Sequence, residues 1–184
     1  MFKPLAYDLS EAIKLFRQKR TLQLRGLSNR LIKEASIEDS FAKAELGVIA
    51  YALHKIESKE HFVNNEKWVK LKKVIATDLE SASFAAENND TKKFIFKLKK
   101  VIDDINSIDS ELGHFAQGIY DKAKVKQASL AYSYGLSISQ SAELTGADKK
   151  ELQSYIGFTK IPDEEKESKS LSTRVDELRE LMIK

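Results

Sequence analysis

The segment Phe41–Ile56 reads FAKAELGVIAYALHKI and is apolar around most of a helical circumference. Phe41, Ala44, Val48, Tyr51 and Ala52 share one side, and Leu46, Ile49 and Leu53 share another. A helix with two apolar sides has to be enclosed by others, so this spacing predicts the central helix of a bundle. Gly47, which has no side chain, is placed to let a neighbouring helix approach closely.

Helical spacing recurs on both sides of this segment. Leu9, Ile13, Phe16, Leu24, Leu27 and Leu31 predict one long helix over Tyr7–Glu34, with a kink or close contact at Gly26. Ser36 followed by Asp39 resembles a capping box opening the Phe41–Ile56 helix. Trp68, Leu71, Val74, Ile75, Leu79, Ala82 and Ala86 predict a helix over Glu66–Glu87, bounded by Asn64-Asn65 and Asn88-Asn89-Asp90. Phe94, Ile95, Leu98, Val101, Ile102, Ile105 and Ile108 predict the next over Thr91–Leu112, and a further one is expected over Phe115–Tyr134. The only prolines are Pro4 and Pro162, which leaves Leu5–Ile161 free of the strongest helix breaker. No polar-apolar alternation suggests a sheet. The expected fold class is therefore all-α: a helical bundle of four to five helices in residues 1–120, then a helix-turn-helix in 121–161 and a short amphipathic helix at the end.

Three glycines, Gly135, Gly146 and Gly157, punctuate the stretch from Lys124 to Gly157, and each is expected to terminate a helix. Ala142 is small enough for a second helix to cross it, Gly146 supplies the turn, Asp148 caps that second helix, and Leu152 and Ile156 give it a buried side. These residues resemble the helix-turn-helix domains of bacterial and archaeal regulators. The resemblance covers residues 124–157 and implies binding of double-stranded DNA, with the second helix in the major groove. Lys149, Lys150, Gln153 and Ser154 lie away from Leu152 and Ile156 and form the expected reading face. Ser137, Ser139 and Gln140 are placed to meet phosphate, supported by Lys122, Lys124, Lys126 and Lys160. No arginine lies between Asp121 and Lys160, and six bases there face four acids.

The net charge of the 184 residues is only +3, yet Met1–Ala35 alone holds eight bases against three acids. Arg17, Arg20, Arg25 and Arg30 in this region are candidate phosphate contacts. The competing reading is a solvated face paired with acidic neighbours. After Pro162 the run DEEKESKS reads as a linker over 162–170. Leu171, Val175, Leu178 and Met182 then mark an amphipathic helix over 171–184, fitted to pack on its own bundle or to bind a partner, such as a second copy in a homodimer.

Other chemistry is poorly represented. Zero cysteines exclude disulfides and thiolate chemistry. His54, Glu57 and His61 share a face only if their helix runs through all three, and two imidazoles with one carboxylate are not a complete metal site. Asp103 and Asp104 diverge by about 100° on a helix and cannot converge on one substrate. No phosphate loop or nucleophile elbow is present, so neither catalysis nor a cofactor is expected. The absence of a bilayer-length apolar run or a signal-like leader predicts a cytoplasmic protein without membrane insertion. The leading expectation is thus a DNA-binding regulatory protein. The alternative is a non-catalytic scaffold whose helix-turn-helix is a packing element and whose basic first helix and C-terminal helix bind RNA or protein.

Overall fold

The computed structural model describes residues 3–112 and 118–160, which are almost entirely helical and contain no strand among the described residues. The described residues form nine helices in chain order: α1 (Lys3–Arg17), α2 (Thr21–Glu38), α3 (Phe41–Glu57), α4 (Glu60–Val63), α5 (Glu66–Glu87), α6 (Thr91–Leu112), α7 (Ile119–Ser133), α8 (Ile138–Thr145) and α9 (Lys149–Lys160). None of the described helices is long and apolar enough to cross a membrane. The expected linker over 162–170 and the C-terminal helix with Leu171, Val175, Leu178 and Met182 lie outside the described residues.

The all-α expectation holds, and α3 is the central element, packed against α1, α2, α4, α6, α7 and α8. Leu46, Val48, Ile49, Ala52, Leu53 and Ile56 are all buried, which is why this helix carries no polar face. It forms an antiparallel hairpin with α2, pinned at three levels. Lys43 pairs with Glu34 and Glu38 at 3.0 and 2.8 Å near the turn. Ser28 Oγ donates to the Gly47 carbonyl at 2.7 Å midway, and His54 Nδ1 meets the Thr21 carbonyl at 2.9 Å at the far end. Gly47 does allow close approach: a Cβ there would stand 3.1 Å from Ile32 Cδ1.

One expected element divides in two. The long helix over Tyr7–Glu34 is α1 and α2, because the chain turns at Gln18–Arg20 with Lys19 in the left-handed region at φ 55°. Gly26 lies inside α2, with open space around it. Ser36 likewise sits within α2, its hydroxyl donating back to the Ile32 carbonyl at 2.8 Å, and the residue that caps α3 is Ser40. The α5 and α6 boundaries match their asparagine-rich breaks. The early lysines of α6 pair across the helix interface: Lys97 and Lys100 reach the buried Asp78 of α5 at 2.7 and 2.9 Å. Burial raises the pKa of the Asp78 carboxyl, but these two ammonium groups bring it below its ordinary value.

The segment α7–α9 leans against the α2–α3 hairpin. Leu144 of α8 and Ala131 of α7 join Ile32, Ala35 and Ala44 in a small apolar cluster. Tyr120 at the start of α7 donates to Glu45 of α3 at 2.5 Å.

Candidate nucleic-acid interface

The geometry of α8 and α9 is set by local capping. Ser137 Oγ accepts from the Gln140 amide at 3.2 Å, while Gln140 Oε1 accepts from the Ser137 amide at 2.9 Å, a reciprocal capping box at the start of α8. Gly146 closes α8 at φ 67°, a left-handed conformation that costs a residue with a Cβ about 1–2 kcal/mol. Asp148 then accepts from the Glu151 amide at 2.9 Å and starts α9. Leu152 and Ile156 pack on Ala142 of α8 and Ala128 of α7. Gly157 terminates nothing: α9 continues through it to Lys160.

Within this extension Phe158 lines a groove of about 910 Å³ between α9, α7 and the C-terminal part of α3. Its cations come from four elements and one turn: Arg25 on α2, Lys55 on α3, Lys59 before α4, Lys122 and Lys126 on α7, and Lys150 on α9. Glu151 is the one carboxylate in its lining among the described residues. Six positive groups against one negative group make this concavity far more basic than the chain as a whole, and such a surface gathers phosphates. Aromatic rings interleave with the cations. Lys55 Nζ lies 5.5 Å from the centre of the Tyr51 ring, and Lys126 Nζ lies 5.4 Å from that of Tyr155. Phe158 forms part of the same wall and is 80% exposed.

The groove selects among the residues named from sequence. Lys150 and Ser154 line it; Lys149, Gln153 and Ser139 are exposed but lie outside it. Ser137 and Gln140 are occupied with each other in the capping box. The side chain of Lys160 lies outside the described residues. Of the four arginines only Arg25 belongs to the groove. Arg17 pairs with Glu80 at 2.6 Å, and Arg20 donates to Gln23 at 3.2 Å. Arg30 holds Asp8, Glu11 and Glu34 at 2.9, 2.8 and 3.0 Å, tying α1 to α2. For Arg17 and Arg30, pairing with acidic neighbours is what the surplus of bases in Met1–Ala35 does.

Lys55, Lys59, Tyr155 and Phe158 were not legible as site residues. The signal for the last two is their spacing: Lys150, Ser154 and Phe158 recur every four residues, and Tyr155 lies three before Phe158. That common face emerges only when the helix is allowed to run past Gly157.

The His54, Glu57 and His61 set is separated by the end of α3 at Glu57. Glu57 accepts from Trp68 Nε1 at 2.8 Å and from Lys72 at 2.7 Å, and His61 belongs to α4. Among the described residues no group of three His, Asp or Glu side chains could hold a metal ion. His54 is buried beside the groove. Burial lowers its pKa below the ordinary value; the Thr21 carbonyl opposes this, and the positive charges of Lys55 and Arg25 lower it further. Asp103 is exposed, while Asp104 is half-buried, with its carboxyl raised chiefly by burial.

In comparison with known proteins, no family model, curated protein or solved structure matches the chain.

Proposed function

We propose that the chain is a DNA-binding regulatory protein in which α9 addresses the major groove of duplex DNA and the adjoining basic groove takes the phosphate strand. The observation that carries this reading is the convergence of Arg25 and Lys55 from the α2–α3 hairpin with Lys122, Lys126 and Lys150 from α7 and α9 on one concave surface. A phosphate backbone alongside a docked helix requires such a line of cations, since phosphate contacts set orientation while groove contacts read bases. Lys149, Lys150, Gln153 and Ser154, exposed on the first turns of α9, are the candidate base and backbone contacts. Lysine pairs with guanine and glutamine with adenine in the major groove.

In this reading the small net charge is no obstacle, because affinity depends on the local cation arrangement and not the total. Fluorescence anisotropy of a labelled mixed-sequence duplex, titrated with protein over a salt series, tests it. Binding that weakens steeply with salt is the expected result. Absence of binding at low salt, or binding that salt does not change, would end the proposal.

A further inference from the structure

We infer that the groove beside α9 also accepts an unpaired nucleotide, so that the preferred ligand is duplex DNA interrupted by an unpaired stretch; this rests on the DNA-binding reading above. A phosphate track needs only cations, and a reading helix needs only polar side chains. Neither requires Phe158, which stands 80% exposed on the wall of this strongly basic concavity. An exposed phenyl ring costs solubility. Around it the groove sets apolar lining from Tyr51, Ile119, Val125 and Tyr155 beside the positive charges of Arg25, Lys55, Lys126 and Lys150. The ligand that offers both a flat apolar face and adjacent negative charge is a nucleotide whose base has left its stack.

Tyr155, one helical turn before Phe158, is half-buried and already carries Lys126 at 5.4 Å from its ring centre, so cation and ring are held together at this wall. The groove's volume of about 910 Å³ lies at the upper end of the roughly 300–1,000 Å³ that encloses drug-sized ligands, enough for a base with its sugar and phosphate. A stacked base within paired duplex cannot present its face to Phe158. A mismatched or locally melted one can, because the cost of unstacking has already been met.

The experiment compares two labelled DNAs of one sequence, a perfect duplex and the same duplex with a short internal run of mismatches, binding to the full chain. The mismatched duplex is expected to bind about tenfold more tightly, in line with the value of one base stacked on an aromatic ring. Phe158→Ala should abolish that preference, so that the two DNAs bind the variant equally, and Phe158→Trp should retain it. Equal affinity of the unaltered chain for both DNAs, or a preference that survives in F158A, overturns the stacking inference and leaves the DNA-binding reading standing. Failure to bind either DNA overturns both.

Discussion

Replacing Lys55 and Lys150 together by alanine probes the groove most directly, because they stand on opposite walls, α3 and α9, and both side chains are exposed. Neither takes part in the buried core, so the double variant should fold as the parent does. If each of the six groove cations meets a phosphate, the slope of log affinity against log salt is about −5.4, at roughly −0.9 per contact. A fourfold rise in salt then weakens binding by about two thousandfold. With four cations left, the slope falls to about −3.6 and the same rise in salt costs only about 150-fold. The measurement is anisotropy of one labelled duplex across a potassium chloride series, with circular dichroism to verify folding. Arg20→Ala is the internal control: Arg20 lies in the separate cleft between α1 and α2 that also holds Glu11 and Arg30, so it should leave the slope unchanged. A double variant that keeps the parental slope, or an R20A variant that lowers it as much as a groove lysine does, would show that the groove does not hold the phosphates.

Three further expectations concern the scaffold. Gly47→Val places a branched side chain against Ile32, where even a Cβ would be 3.1 Å from Cδ1, and should lower stability by about 1–3 kcal/mol in chemical denaturation. Trp68→Phe keeps most of the ring volume but removes the indole donor from the buried Glu57 carboxylate, which still pairs with Lys72; it should cost about 1–3 kcal/mol, less when Glu57→Gln is added, as a double-mutant cycle will read. Because His54 has a lowered pKa in the fold, the unfolded chain takes up a proton that the folded chain refuses. Stability is therefore complete above the ordinary value of 6.5 and declines as pH falls below it, a decline that thermal melts should show flattened in His54→Asn.

Helices with strong polar punctuation were legible almost to the residue. Asn65 and Asp90 cap α5 and α6 because their short side chains satisfy amides that no helical carbonyl can reach. The turn at Lys19 was not legible, since its neighbours Gln18 and Arg20 are competent helix formers and the left-handed conformation there is imposed by packing α1 back on α2 and α5. Ser36 illustrates the opposite error: a capping pattern was present, but Ala35 is wholly buried beside Ile32, and this held the chain helical to Glu38. At the candidate site, the turn from α8 to α9 was visible in Ala142, Gly146 and Asp148, because each has a local stereochemical role. The groove was not, since Arg25, Lys55 and Lys126 are distant in sequence and only the tertiary arrangement gathers them. Glycine at 157 concealed the rest, for it can occupy a helix interior at modest cost as easily as end one.

The cluster joining Leu144 and Ala131 to Ile32, Ala35 and Ala44 has a mechanical consequence. It seats α8 on the same hairpin that carries Lys55 and Arg25, while Leu152 and Ile156 seat α9 on α7 and α8. The two walls of the groove are thus parts of one stiff frame, each braced through the other's packing. Whatever enters must supply the compliance itself. For a DNA ligand, that shifts discrimination from the pattern of base edges toward how readily a given sequence bends, unwinds or parts.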